Sequence, residues 1–537
     1  MTSLPQPTAH GAALVRDLTR LLGEGSASAD PADLWAGSRD CWPRTLLWTK
    51  AGRAPHPPDA VAWPSDAAQI QSVIRFAAEQ GVPVVPFGAG SGVCGGVVPL
   101  RGGIALDVKR LAHAPRIDLP ARTASAEAGL NGQRLEELLN AAGATLGHFP
   151  SSIYCSTVGG WLAARSAGQL SSRYGKIEDM VLSLEAVDGT GALLRTIDGP
   201  SSGPDLTQLI VGSEGTLAVI TRATLRIWPK PTGRWLRGVM FRSVERGMDA
   251  MRLLMRSGLR PAVARLYDPF DTLLAGKSGG GALHLPIPAP LKALFGIGQR
   301  EGLRLLLKAP LLLNKLVDAA PAKSLLILGF EAEGAHGSED ARESGEEALR
   351  LCRQAGGEDQ GAAPGERWLA NRYKISYRQS PLFSAGAFVD TMEVATTWDR
   401  LQRLYQAVRR AVAPHALLLA HFSHAYLEGC SIYFTFIGPG GQPTSEVARA
   451  LQPGAPPGLR IEVDRELRAA ESRYEACWHA ALSAVCDQGA TISHHHGVGA
   501  AKQAFLPREH GEGMRQLRAL KAAFDPKGIL NPGKLLP

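Results

Sequence analysis

The sequence predicts an α+β chain in two main parts. The first combines short strands and helices with glycine-rich loops; the second is a cap-like part with a mixed or antiparallel sheet and flanking helices. Three observations carry this. The chain has 537 residues, well past the length at which one hydrophobic core stops growing. Three Gly/Ser/Thr loops lie between β-branched runs and amphipathic helices in residues 56–232. From residue 233 on, strands alternate with longer helices, the pattern of strands and helices packed in layers. Residues 1–55 read as a helical appendage, 56–232 and 233–500 as the main parts, and 501–537 as a segment returning to the first.

Composition narrows the function classes. Hydrophobic residues make up 45% and charged residues 20%, as in ordinary globular enzymes. A net charge of +8 suits anionic ligands or an anionic membrane surface, but no basic arm is clustered as in nucleic-acid binders, so no nucleic-acid partner is expected. The seven cysteines are scattered without a C-x-x-C, which argues against a disulfide framework or zinc site and for a reducing compartment. The start Met-Thr-Ser-Leu-Pro-Gln-Pro lacks the regions of a signal peptide, and no apolar run approaches the ~18 residues of a membrane span. The expected location is the cytoplasm.

In the appendage, residues 12–22 form a helical pattern, followed by an aromatic, basic stretch with Trp42, Arg44, Trp48, Lys50 and Arg53. Asp66 then caps a helix whose apolar stripe is Ile70, Val73, Ile74, Ala77 and Ala78, with Gly81 as its stop. Val82, Val84 and Val85 mark a buried strand that breaks into a loop with glycines at 88, 90, 92, 95 and 96. Successive N–H groups in such a loop make a nest for phosphate or pyrophosphate. Gly90, Gly92 and Gly95 match G-x-G-x-x-G, but the loop runs on into Val97-Val98-Pro99-Leu100 and a strand at 104–108, so the helix of a Rossmann fingerprint is missing. Residues 123–128 read as a strand and 133–142 as a helix closed by Gly143. Residues 162–167 read as a small-residue helix, 181–187 and 192–195 as a hairpin, and 223–228 as a strand fed by the loop at 211–220. Three such loops in one part suit a single extended ligand with several polar points, such as a nucleotide with a pyrophosphate.

In the second part, residues 237–255 read as strand then helix, and 264–268 as a strand. Residues 283–320 are rich in Leu, Pro and Lys: a buried cap helix, or an interfacial helix or lipid-tunnel wall. Strands follow at 324–334, 417–424 and 431–436. Helices follow from an N-cap at Ser338 to 355, at 398–412, and at 464–488 with Gly489 as the stop. Directly after comes Ser493-His494-His495-His496-Gly497-Val498-Gly499. Adjacent side chains of an extended segment alternate faces, so the three histidines do not grip one metal, and no H-E-x-x-H exists; no metal is expected. Histidines beside one another suit a general base and an anion partner.

The glycine loop at 86–92, Ser156-Thr157-Val158-Gly159-Gly160, Gly212-Ser213-Glu214-Gly215-Thr216 and the ending Asn531-Pro532-Gly533-Lys534 together resemble the vanillyl-alcohol-oxidase/PCMH flavoprotein superfamily. Within it, the histidine run, Ser431-Ile432-Tyr433-Phe434, Arg372-Tyr373-Lys374-Ile375 with Asp390-Thr391-Met392-Glu393, and Arg265-Leu266 resemble the alkyldihydroxyacetonephosphate synthase family. The resemblance implies a two-part PCMH-type FAD-binding domain and a substrate-binding cap. It implies non-covalent FAD held by Pro86, Phe87, Gly88, Ala89, Gly90, Ser91 and Gly92; by Ser151, Ser152, Ile153, Tyr154, Cys155, Ser156 and Thr157; by Ala164, Arg165, Ser166 and Ala167; and by Glu214, Gly215, Thr216, Leu217, Ala218, Val219 and Ile220. Tyr433 matches the family's acid/base tyrosine, His494, His495 and His496 its histidine cluster, and Arg265 an arginine near the active site. The implied reaction has no net redox change: acyl-dihydroxyacetone phosphate forms a flavin-N5 adduct, loses its fatty acid and takes a fatty alcohol. The implied partners are a lipid-like phosphorylated substrate and the alcohol, with peripheral contact at the inner membrane face through 283–320 and a homodimer.

Two departures stand out. The family's substrate-phosphate arginine aligns with Gln379, and Arg378 sits one residue early as its candidate replacement. Cys155 stands where some relatives attach flavin through cysteine, although a small buried thiol is the plainer reading. The competing function is an FAD-dependent 2-hydroxy-acid dehydrogenase of the D-lactate or glycolate type, which shares the Asn-Pro-Gly-Lys ending and needs no lipid-facing segment.

Overall fold

A computed structural model describes residues 4–199, 202–277, 307–318, 323–374 and 380–536. The chain divides into two compact units, one of Met1–Gly168, Gly175–Lys230 and His495–Pro537, the other of Gln169–Tyr174 and Pro231–His494.

In the first unit the helix Ala9–Leu22 is capped by the Thr8 hydroxyl and buries Leu14, Leu18 and Leu22. The helices Pro31–Gly37 and Pro43–Lys50 each begin on proline, whose missing N–H is no loss there. In Ala67–Gln80, Asp66 accepts the Gln69 N–H, Ile70, Val73, Ile74 and Ala77 of the expected stripe are buried while Ala78 is half-buried at its edge, and Gly81 ends the helix at φ 67°. The strand Val84–Phe87 runs parallel to Ile104–Asp107, which runs parallel to Ala60–Ala62, and Ala27–Ser28 adds an antiparallel edge. Between Phe87 and Ile104 the chain stays in loop and turns, so no helix opens at the glycines. On the free side of Val84, its N–H donates to Ile529 O at 2.8 Å and its carbonyl accepts from Asn531 N–H at 2.7 Å. An antiparallel sheet orders Arg116–Asp118, Thr123–Glu127, Ala218–Arg226, Val181–Asp188 and Leu193–Arg195.

Two expectations shift here. The small-residue helix is Val158–Ala163 rather than 162–167: Thr157 caps it, and Gly159 is needed because a Cβ there would lie 2.7 Å from that of Ala128. Residues 164–167 are loop, with Arg165 at φ 53°. The strand expected at 223–228 starts at Ala218, so Ala218, Val219 and Ile220 belong to the sheet rather than to the loop.

The second unit is built on a sheet in the order Glu358–Asp359, Gly233–Phe241, Ser324–Ala332, Val263–Tyr267, Leu417–Ala425, Gly429–Pro439, Ala387–Thr397. Every pairing in it is antiparallel, which settles the expected mixed or antiparallel sheet as antiparallel. The helices Leu401–Val412 and Pro457–Asp487 cover one face, where Tyr405 packs on Phe422 and Phe434, and Trp478 on Phe436. The long helix starts at Pro457 rather than 464, because a proline is tolerated in its first turn. The helix expected from Ser338 is Gly337–Gln354, flanked by His336 without a side-chain cap.

Of the Leu-rich stretch 283–320, residues 307–318 are described and 283–306 and 319–320 lie outside the described residues. Leu307 and Leu313 are buried, while Leu311 and Leu312, on the helix Pro310–Asp318, are exposed. Asn314 staples this helix to the sheet: its amide donates to Ala416 O at 2.9 Å and its oxygen accepts the Leu418 N–H at 3.1 Å. Among the described residues no helix is long and apolar enough to cross a membrane.

On the helix-covered face, Tyr474 Oη and Trp478 Nε1 both donate to the buried Asp390 Oδ2, at 2.5 and 2.9 Å. Asp390→Ala leaves two buried donors short of an acceptor and is expected to destabilise the protein by about 2–4 kcal/mol, measured as a lowered denaturation midpoint.

Candidate active site

In the first unit the predicted ligand-holding stretches converge. A Cβ on Gly88 would lie 2.6 Å from Thr157 Oγ1, one on Gly215 2.8 Å from the Pro86 ring, and one on Gly212 2.3 Å from Arg165 Nε. Loops 86–92, 151–157, 164–167 and 212–217 therefore touch at positions where any side chain would force a neighbour to shift. Glu214, at φ 52°, accepts the Val498 and Gly499 N–H groups at 2.5 and 2.8 Å, which ties the segment after the histidines to the same cluster. Asn531 donates to Gly96 O at 3.0 Å and to Glu214 O at 2.7 Å, while its Oδ1 is buried and without a partner. Backbone N–H and hydroxyl donors beside an amide oxygen able to accept form a set that fits a dinucleotide such as FAD. Ile153, Thr216, Leu217, Ala218 and Val219 bury their side chains in the unit itself, so what they offer a ligand is backbone. Tyr154 and Cys155 are exposed, so Cys155 is not the small buried thiol expected from the sequence: it lies in the surface turn at 151–155. His495 is buried, with its ring edge-on to His496 at 4.6 Å.

Sequence reasoning missed Asp40 in this cluster. Cys41 N–H donates to Gly92 O at 2.9 Å, and Trp42 meets the position a Gly95 Cβ would take, so this part of the appendage straps the glycine loop. Asp40 Oδ2 is buried and close to Gly92, and makes no hydrogen bond among the described residues. Burial pushes its carboxyl up to about 7, against the Trp42 N–H and the nearby Lys534. Burial lowers Lys534 to about 8 while its ammonium donates to Val98 O.

In the second unit the register places a polar row on the sheet face opposite the helices Leu401–Val412 and Pro457–Asp487. Glu393 lies opposite Tyr433, Tyr433 opposite His421, and His421 opposite Tyr267. Directly opposed residues point to the same face. The His421 and Tyr433 rings stack at 4.9 Å. Arg265 donates to His421 Nε2 at 2.7 Å and to Tyr267 Oη at 3.1 Å. Since arginine only donates, Nε2 accepts, and the proton on Nδ1 points to Asp271 Oδ2 at 3.2 Å. Burial, with Arg265 adding to it, holds His421 well below the usual histidine range, and burial lifts Asp271 to about 6. Glu393 accepts the His494 N–H at 2.5 Å and the Ser493 hydroxyl at 3.0 Å.

The structure thus joins Tyr433 to Arg265 through His421, and His494 to the same row through Glu393. His421 and Asp271 carried no signal by themselves, His421 because its strand reads as core, and Glu393 entered only as the end of the Asp390–Glu393 motif, with no role attached. Arg378 lies outside the described residues, as does Gln379.

Two family models match. Residues 58–197 match the FAD binding domain, and residues 230–451 and 458–535 match the FAD linked oxidases, C-terminal domain. The chain is 30% identical over 509 residues to an alkyldihydroxyacetonephosphate synthase of Trypanosoma brucei brucei, covering 92% of this chain and 76% of that protein. A protein of the same name from Dictyostelium discoideum is 29% identical, with the same coverage. A solved alkyldihydroxyacetonephosphate synthase superposes with a TM-score of 0.73 at 23% identity, covering 98% of this chain and 86% of that one.

Gly88→Val crowds Thr157 and is expected to weaken FAD binding about tenfold or more, read as flavin retained on purification with the circular dichroism unchanged. Folded Asp40 keeps its proton to about pH 7 whereas the unfolded carboxyl releases it near 3.8, so this group makes stability fall as pH rises between those values. Asp40→Asn removes that fall: the melting temperature of the variant relative to wild type rises with pH across this window and levels off above it.

Proposed function

We propose that this chain, which belongs to the FAD-linked oxidase family, exchanges the acyl chain of an acyl-dihydroxyacetone phosphate for a fatty alcohol, giving an ether-lipid precursor. The relatives named for that synthesis support the reading. The observation that carries it is the amphiphilic sheet face of the second unit. Four residues along the strands from the row Glu393–Tyr433–His421, the same face carries Val389, Ile437 and Leu417. Those side chains pack with Phe270, Leu273, Leu307 and Leu313 in an apolar cluster. This cluster is closed by the chain's own side chains and forms an apolar wall at the end of the polar row, an arrangement that suits a phosphorylated headgroup with a long chain; a small hydroxy acid needs only the polar end.

On this reading residues 56–232 with 501–537 hold FAD through the loops at 86–92, 151–157, 164–167 and 214–220, and 233–500 bind substrate. FAD, when bound, supplies an electrophilic ring that takes up and returns the electron pair of a carbon that has lost a proton. Tyr433 takes the proton from C1 of the substrate at its Oη and returns one to C1 once the alcohol has replaced the fatty acid. A phenol near 10 needs a neighbouring cation for this, and Arg265 supplies one through the His421 ring on which Tyr433 stacks. The fatty acid leaves as a carboxylate, and the histidines at 494–496 accept the proton of the incoming alcohol. Arg265, with Arg378 as the further candidate, faces the substrate's phosphate and carbonyl oxygens. The exposed Leu311 and Leu312 give the Leu-rich stretch a lipid-facing side, in keeping with peripheral membrane contact and entry of the alcohol from a bilayer. A homodimer is part of the same reading.

Anaerobic mixing of the flavin-loaded protein with acyl-dihydroxyacetone phosphate and labelled fatty alcohol tests this. The expected result is label in the product, one fatty acid released per turnover and no net flavin reduction. Bleaching by D-lactate or another 2-hydroxy acid, without exchange, overturns it in favour of a dehydrogenase. Tyr433→Phe is expected to retain FAD and lose at least about 100-fold in turnover.

A further inference from the structure

His424 sits where strand alternation would not put it. Along Leu417–Ala425 the residues Leu417, Leu419, His421 and Ser423 share the site face, so regular pairing would send the next residue to the helix-covered face with Ala420 and Phe422. The register instead shifts between Ser423 and Ala425, and His424 takes φ 56°. A non-glycine residue with φ in this region is strained, and such strain persists where the surroundings over-determine it.

The surroundings of His424 are specific. Its Nδ1 lies 2.8 Å from Ser171 Oγ, and Ser171 Oγ lies 3.1 Å from Tyr426 Oη. Its ring stacks on His494 at 5.7 Å with 30° between planes, and Tyr426 lies 5.6 Å from the same ring. The His494 backbone N–H is anchored on Glu393. We propose, resting on the alkyl-exchange reading above, that His424 is a positioning residue whose imidazole seats the ring of His494, and that the bulge and left-handed backbone are kept to bring it there. The groups facing His424 are His494, Arg265, His421 and Glu393; burial, then the first three of these, hold its imidazole well below the usual histidine range, with Glu393 opposing. His424 therefore stays neutral near neutral pH, so it orients His494 without adding a second positive charge beside it.

His424→Gly and His424→Asn test this, because both residues accept the backbone conformation and neither carries a ring. The flavin-loaded proteins are compared by thermal melting, by steady-state exchange, and by carbethoxylation of His494 with diethyl pyrocarbonate, resolved by peptide mass spectrometry. Melting is expected to be unchanged or raised in His424→Gly. In both variants kcat falls at least about tenfold with KM within about twofold. His494 is modified at least about threefold faster as its seat loosens. Ser171→Ala, which removes the partner of Nδ1, moves both quantities in the same direction by less. Unchanged His494 reactivity in the glycine and asparagine variants overturns the proposal, and so does an unchanged kcat. If wild-type protein performs no exchange, the alkyl-transfer reading fails by itself, while the His494 reactivity, which needs no substrate, still decides whether His424 seats the ring.

Discussion

The site in the second unit depends on one register. Ala387–Thr397 and Gly429–Pro439 pair without interruption from Ala387 opposite Pro439 to Thr397 opposite Gly429. A slip of one residue would turn Glu393 or Tyr433 toward the helices and bring Met392 or Phe434 to the site face. The apolar residues on the helix side, Phe388, Met392, Phe434 and Phe436, are fully buried and resist that exchange, so the packing of one face fixes the chemistry of the other. Asp268 holds the neighbouring strand in the same way. Its Oδ2 accepts from Ala420 N–H at 2.8 Å, and from Tyr405 and Arg409 at 3.3 Å each. That bond sits one residue before His421.

The buried acids of this protein do different kinds of work. Asp390 receives a phenol and an indole and joins the long helix to the sheet. Asp271 faces His421 and sets which ring nitrogen bears the proton, leaving the other to accept from Arg265. Asp40 has one oxygen, beside Gly92, that makes no hydrogen bond among the described residues, so its burial is less compensated than that of Asp390. A carboxyl in that position is strongly coupled to protonation, and it sits on the segment that straps the glycine loop.

Much of the cofactor side was legible in the sequence because glycine reports on backbone approach at the residue itself. Gly88, Gly212 and Gly215 mark close contacts at which any side chain would force a neighbour to shift, and they stand in the sequence as glycines. The helix at Val158–Ala163 was misplaced for the same reason: Gly159 and Gly160 read as loop, although Gly159 is small to clear Ala128. The candidate site of the second unit was only half legible. Tyr433, Arg265 and the histidine run stand out as residue types, but their partners come from distant strands. His421 joins Arg265 across 156 positions, and His424 joins Ser171 across 253. Single-sequence patterning carries period and propensity, and neither encodes a pairing at that separation. The bulge at His424 is invisible for a further reason, since no glycine or proline marks it.

The hydrogen bonds that Val84 makes with residues 529 and 531 bear on how the protein comes into being. The glycine loop is synthesised early, but the residues that hold its strand edge, and Asn531 and Lys534 that grip Gly96 and Val98, emerge more than four hundred residues later. A nascent chain therefore carries the loop through most of translation with that edge unpaired. Cofactor capture is accordingly a late event in biosynthesis, and until then the exposed edge of Val84–Phe87 is the stretch on which a chaperone, or a neighbouring nascent chain, can add a strand.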